Sequence, residues 1–275
     1  MPGRLRIAVV AVGLAALTAV LAPLQLLAMR FDWPVARRLP FLWHRVAARL
    51  CGMRVHVRGK PAAGRPLLIA ANHQSWADIV ALGSVMPLSF IAKSEVGTWP
   101  VFSVLARLQR TVFVTRGERR QTGQQAASIA ERLRTGDVMV LFAEGTTSDG
   151  NRVLPFKTAL FGAAQAALRG AGQDRVLIQP VAVAYTQAHG LPLGFHGRPL
   201  AAWPGHVALM PHLLAFLRCG AVDVEVSFGA PVEFSEGSDR KIVARLCEAG
   251  VRAMLEASLY GRHPQESIAK HGDGT

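Results

Sequence analysis

Leu67-Leu68-Ile69-Ala70-Ala71-Asn72-His73-Gln74-Ser75-Trp76-Ala77-Asp78 is the stretch on which the reading of this chain turns. Its first five residues are an unbroken apolar run of the length of a buried strand. Ser75-Trp76-Ala77-Asp78 has the S-x-x-[DE] form of a helix N-terminal capping box, so a helix is predicted from there to Met86. His73 and Asp78 are five residues apart. On one continuous helix, at about 100° per residue, they would point roughly 140° away from each other. A helix that begins between them removes the obstacle, because His73 then sits in the turn and faces back over Asp78. Two readings of the pair stand at this point: a reactive histidine and its carboxylate, or a cap acid beside an ordinary turn histidine.

Outward from this stretch, strands and helices alternate. Arg54 to Gly59 alternates polar and apolar residues and reads as an edge or half-buried strand, with His56 exposed on it. Further strands are predicted at Leu88 to Ala92, Thr111 to Arg116, Val138 to Phe142, Val176 to Tyr185 (broken by Pro180) and Val222 to Val226. Helices are predicted at Pro100 to Gln109, Gln121 to Arg134, Phe156 to Arg169, Val207 to Arg218 and Asp239 to Leu259, with a Gly- and Pro-rich loop from Gly190 to Gly205. The pattern gives an α/β fold with one mainly buried sheet flanked by helices.

Residues Ile7 to Met29 form an uncharged run of 23 with Arg4 and Arg6 before it and Arg30 after it, long enough to cross or deeply enter a bilayer. No small-x-small cleavage site follows it, which favours a retained anchor over a signal peptide. Val35 to Met53 places Leu39, Leu42, Trp43, Val46 and Leu50 at helical spacing among four arginines, the pattern of a basic amphipathic helix at a membrane interface or of a core-facing helix. The expected organisation is an N-terminal membrane-anchoring helical segment over 1–53, the main α/β domain over 54–260 and a loose tail over 261–275.

The 275 residues are 51% hydrophobic and carry a formal charge of +13. Anionic lipid, an acidic carrier protein and nucleic acid are all partners that such a charge attracts. No zinc-finger, RRM or basic-zipper pattern is present and aromatic residues are only 7%, so nucleic acid is not the expected partner. Cys51, Cys219 and Cys247 are widely spaced and odd in number, which points to reduced thiols facing the cytosol. No His, Cys or acid cluster has metal-ligand spacing.

Four apolar strands are each followed by polar side chains suited to chemistry: Asn72, His73 and Asp78; Lys93 and Glu95; Arg116; and Glu144 with Thr146 and Thr147. In open α/β sheets sites collect at the carboxyl ends of strands, and this convergence favours the reactive reading of His73. Asn72-His73-x4-Asp78, the Phe113 to Arg116 strand end, Phe142-Ala143-Glu144-Gly145-Thr146 and Ile178-Gln179-Pro180-Val181-Ala182-Val183 follow one another as do the four blocks of the glycerolipid acyltransferase family, which includes the 1-acylglycerol-3-phosphate acyltransferases. The chain resembles that family over about Leu67 to Tyr185. Phosphatidate-forming members usually read E-G-T-R in the third block, the arginine being associated with the acceptor phosphate. Thr147 stands at that position here, and the run from Glu144 to Lys157 resembles the branch that includes lyso-ornithine lipid acyltransferases. A threonine hydroxyl cannot replace a bidentate guanidinium, so an acceptor without a phosphate, lyso-ornithine lipid, is expected, with 1-acylglycerol-3-phosphate, or both acceptors, as the alternative because Arg152, Lys93 and Arg116 remain available to hold a phosphate.

The resemblance implies a membrane-associated O-acyltransferase that moves a fatty acyl group from an acyl carrier protein or coenzyme A thioester to the hydroxyl of a lysolipid acceptor, with no cofactor beyond that co-substrate. A thioester is already activated, so the protein needs a base and not a nucleophile of its own. His73 is assigned as general base and Asp78 as the partner that fixes its tautomer. Asn72, Lys93, Arg116, Glu144, Gly145, Thr146 and Thr147 are assigned to substrate binding, with loop amides around Gly145 as donors to the oxyanion. Membrane lipids are expected partners, and the expected location is the cell inner membrane with the catalytic domain facing the cytoplasm.

Overall fold

Strand β2 (Leu67–Ala71) runs through the middle of the sheet with all five residues buried. The structure is a computed structural model that describes residues 3–114, 119–162, 164, 165, 168 and 175–261. Around β2 lie β1 (Met53–Arg58), β3 (Ser89–Lys93), β4 (Val112–Val114), β5 (Val138–Phe142), β6 (Arg175–Ala188), β7 (Leu191–Pro192), β8 (Val222–Phe228) and β9 (Val232–Ser235). The main order is β1-β8-β6-β2-β5-β3-β4, with β7 and β9 also pairing with β6. From β6 to β4 every neighbour is parallel, whereas β8 pairs antiparallel with β6 and parallel with β1.

Along β2 the side chains alternate between two cores. Leu67, Ile69 and Ala71 enter one with Val10, Ala47, Ala81 and Phe216, while Leu68 and Ala70 enter the other with Leu133, Phe161, Val251 and Leu255. The first core lies under α1 (Gly3–Arg30), α2 (Leu39–Cys51), α3 (Ala77–Gly83) and α6 (Leu209–Cys219); the second lies under α5 (Arg119–Arg134) and α7 (Arg240–Tyr260). Full burial of a Leu or Ile side chain stabilises by about 1.5–3 kcal/mol, so Leu67, Leu68 and Ile69 fix the register of the strand that leads to His73. The remaining helix, α4 (Phe102–Leu108), stands between β3 and β4 in the chain.

α1 is docked along its whole length. Its inner face shows helical periodicity in burial, and three of its side chains tie it down: Arg6 donates to the carbonyls of Leu217 (2.8 Å) and Gly220 (3.2 Å), Thr18 Oγ1 accepts from Trp43 (2.9 Å), and Gln25 donates to the carbonyls of Leu108 (2.8 Å) and Ala36 (3.0 Å). Its outer face carries Leu5, Val9, Val12, Val20, Leu24 and Leu27, all exposed. α2 buries Leu39, His44, Ala47, Ala48 and Cys51, so its apolar stripe faces the core beneath α1.

β6 differs from the expected broken strand: it is continuous through Pro180. Its partner on one side changes there from β9, which pairs with 175–178, to β8, which pairs from Val181 onward. A proline lacks the N–H that a ladder needs, and here that gap falls at the change of partner. The expected Gly190 to Gly205 loop contains β7 and a helical turn at Gly194–Gly197. Part of the expected Phe156 to Arg169 helix and all but the first residue of the 261–275 tail lie outside the described residues.

Candidate active site

Strands β2, β5, β3 and β4 are adjacent and parallel, so the polar groups that follow β2, β5 and β3 emerge on one edge of the sheet. β2 ends at Ala71, the chain turns through 72–76, and α3 starts with Asp78 in its first turn. In this turn His73 Nδ1 lies 2.8 Å from Asp78 Oδ2. The same carboxylate oxygen accepts from the amides of Gln74 (2.7 Å) and Ser75 (2.9 Å), which is the reciprocal half of a capping box. Ser75 Oγ accepts from Ala77 N at 3.3 Å, one residue earlier than the motif implies. One side chain thus starts the helix and orients the histidine.

Asp78 is fully buried, whereas the His73 side chain keeps 19% exposure. The second carboxylate oxygen of Asp78 accepts from Tyr185 Oη at 2.7 Å. Four donors on one carboxylate offset the cost of burying its charge. Burial and the neighbouring Asp78 charge push the Tyr185 phenol well up, so it stays a donor. Sequence reading missed Tyr185 because it appears there only as one more residue of an apolar strand. The register supplies the signal: Ala71 pairs with Val181, so Val183 and Tyr185 continue past the end of β2, beside the His73 turn. Tyr185→Phe leaves a buried carboxylate oxygen without its donor and is expected to destabilise by about 1–3 kcal/mol in denaturant titration; an unchanged midpoint would refute the coupling.

Asn72 sits differently from the substrate contact expected of it. It is fully buried, its Nδ2 donates to the Val183 carbonyl (3.0 Å) and its Oδ1 accepts from Val183 N (2.8 Å). The amide imitates one more residue pair of the ladder beyond β2, so Asn72 anchors the turn to β6. Gln74 reinforces this anchor, since its side chain also donates to the Val183 carbonyl and its own carbonyl accepts from Trp203 N at 2.6 Å.

Glu144 follows β5 and is 1% exposed. Its Oε1 accepts from His73 N at 3.1 Å, and its Oε2 is buried. Burial pushes the carboxyl up to about 8, against the backbone N–H groups of His73 and Leu154, which favour its charged form. Its folded value stands above its ordinary value of 4.5, so the folded state holds a proton that the unfolded chain releases. Its contribution to stability is therefore complete at low pH and falls as the pH rises from about 4.5 through about 8. Glu144→Gln keeps the oxygen facing His73 N and removes the titration, so its melting temperature is expected to fall less than the wild type's between pH 5 and 8.5. Parallel curves would contradict this.

Gly145 takes φ +71°, a conformation that favours glycine, and its N–H donates to the Phe142 carbonyl at 3.1 Å. Thr146 is exposed and Thr147 half-buried beside it, both against Gly205: a Cβ added at Gly205 would lie 3.4 Å from Thr146 Oγ1 and 3.8 Å from Thr147 Oγ1. Ser148 N donates to the His73 carbonyl at 2.8 Å, which pins this loop over the histidine turn. Lys93 is exposed at the end of β3, outside this network. Arg116 lies outside the described residues. Among the described residues no group of three His, Cys, Asp or Glu side chains could hold a metal ion. The Cys51 and Cys247 thiols are pushed by burial to about 11 and about 12, and neither is a nucleophile at neutral pH.

The acyltransferase family model matches residues 53–184, the span from β1 into β6 that carries Asn72, His73, Asp78 and the Glu144 to Ser148 loop, with Tyr185 one residue beyond it. A lyso-ornithine lipid O-acyltransferase of Brucella abortus (strain 2308) is 55% identical over 267 residues, covering 97% of this chain and 100% of the relative. The chain belongs to the acyltransferase family. A second lyso-ornithine lipid O-acyltransferase, from Rhizobium meliloti (strain 1021), is 49% identical to this acyltransferase and covers 94% of it and 88% of the relative. The crystal structure of the 1-acyl-sn-glycerophosphate (LPA) acyltransferase PlsC from Thermotoga maritima matches with a TM-score of 0.55 at 25% identity, covering 83% of each chain. The expected sheet flanked by helices is thus the fold of a solved acyltransferase.

Proposed function

We propose that this acyltransferase transfers a fatty acyl group from an acyl carrier protein or coenzyme A thioester to the hydroxyl of lyso-ornithine lipid, with His73 as general base. The observation that carries the reading is the 2.8 Å contact between His73 Nδ1 and buried Asp78, which leaves Nε2 as the proton acceptor on a partly exposed ring. The acceptor hydroxyl gives its proton to Nε2 while its oxygen attacks the thioester carbonyl carbon. The tetrahedral intermediate then expels the thiolate, which recovers the proton from the imidazolium. The amide of Gly145 is engaged by Phe142, so the oxyanion donors are assigned to the amides that follow it, at Thr146 and Thr147. Thr147 supports an acceptor without a phosphate monoester, since it offers no guanidinium where phosphatidate-forming enzymes have one.

The exposed apolar face of α1, bounded by Arg4 and Arg30, supports a membrane location where lysolipid is available. Because the inner face is docked from end to end, the helix is assigned to the membrane surface, with its outer face in the acyl chains and the catalytic edge on the cytoplasmic side of the inner membrane. The likeness to the Thermotoga maritima enzyme supports a second reading, 1-acylglycerol-3-phosphate as acceptor. Purified protein given lyso-ornithine lipid and lysophosphatidate side by side, with each thioester donor, separates them. Faster transfer to lyso-ornithine lipid is expected; transfer to lysophosphatidate alone would reverse the assignment.

A further inference from the structure

The last residue of β5, Phe142, lies flat against the His73 ring, with centroids 3.8 Å apart and planes 15° from parallel. Phe90 is stacked behind it at 5.9 Å and 8°, and His44 meets the edge of Phe90 at 6.5 Å. The pairing of Ala71 with Phe142 explains the contact: the phenyl ring is level with the end of β2, and His73 follows two residues later on the same face. Bonding to Asp78 fixes where Nδ1 points but leaves the ring plane free to rock about that bond. We propose that Phe142 is a positioning residue of the acyl transfer: its ring face sets the plane of the His73 imidazole and stabilises the imidazolium formed when the acceptor hydroxyl gives up its proton. This rests on the assignment of His73 as the base.

The physical reason is the benzene quadrupole. A neutral imidazole stacks on an aromatic face with modest attraction, while a cation over that face gains a further electrostatic term that grows as water is excluded. The charged or titratable groups that face His73 among the described residues are Asp78 from α3, Glu144 from the loop after β5 and, behind Asp78, Tyr185 from β6. Asp78 acts in the ring plane and Phe142 across it, so the two contributions are separable. A core residue of the same volume would fill the space without the second contribution.

The test replaces the face while keeping the shape. Phe142→Leu fills most of the volume without a π system, and Phe142→pentafluorophenylalanine keeps the ring but inverts its quadrupole. Both are expected to lower kcat about 3- to 30-fold and to move the acid limb of the kcat/KM profile to lower pH by about 0.5–1.5 units. Phe142→Tyr, which keeps the face, is expected to remain near wild type in both. A pentafluorophenylalanine variant with wild-type kcat and an unmoved limb overturns the proposal, as does Phe142→Tyr behaving like Phe142→Leu. His73→Ala in the same assay separates the two levels: inactivity supports the base assignment whatever Phe142 does, and retained transfer overturns the assignment and this proposal with it.

Discussion

His73→Ala is expected to lower acyl transfer by about 10³- to 10⁴-fold while leaving the protein folded. The size of the loss follows from general-base catalysis, whose contribution is of order 10²–10⁴, and from the lack, among the described residues, of a second base beside the His73 ring that is free to take the proton. Lys93 is on another strand end, and Glu144 directs Oε1 at a backbone amide and holds Oε2 buried. The fold should survive because the turn does not depend on the imidazole. Asp78 keeps the amides of Gln74 and Ser75 and the Tyr185 hydroxyl, and Asn72 and Gln74 keep Val183. Circular dichroism and membrane recovery check the first half of the expectation, and the initial rate of transfer checks the second. An alanine variant within tenfold of wild type would return His73 to the status of a turn residue.

Asp78→Asn is expected to lower transfer by about 10³-fold, through lost charge and not through a wrong tautomer. The amide oxygen can take the place of Oδ2 and still accept from His73, Gln74 and Ser75. The new NH₂ then faces Tyr185, whose hydroxyl can turn to accept, and Ser75 is within hydrogen-bonding reach of that hydroxyl. What disappears is the negative charge beside the imidazolium. Two unit charges about 4 Å apart at an effective dielectric of 20 interact by about 4 kcal/mol, equivalent to about 10³ in rate. Near-normal turnover in a folded Asp78→Asn protein would show that the carboxylate serves only the helix start.

The strand, the turn and the start of the helix around His73 were legible because local rules agree there: an apolar run, a cap sequence and a helix start all place the break between residues 71 and 77. The four strands were legible for the same reason, and the sheet places β2, β5, β3 and β4 side by side, while the end of the last, with Arg116, lies outside the described residues. The sequence was silent on what reaches the pair from other strands. Tyr185 meets Asp78 across 107 positions and Asn72 meets Val183 across 111, and no local pattern encodes which residues pass the end of a neighbouring strand. Pro180 misled because a proline usually ends a ladder, and only the sheet order reveals a change of partner at that residue. Asn72, expected at the substrate, and Glu144, expected to contact the acceptor or brace its loop, are both buried braces of the histidine turn, a distinction that residue type cannot make.

Whether His73 draws the proton from a lysolipid hydroxyl while a thioester donates its acyl group is read from the lipid product itself. Wild-type and His73→Ala proteins, each reconstituted in bilayers with lyso-ornithine lipid and a fatty acyl carrier protein thioester, can be followed by mass spectrometry of the extracted lipid. Diacylated ornithine lipid is expected to accumulate with the wild type, with product at or near background over the same period for the variant. Equal product from both proteins would contradict it.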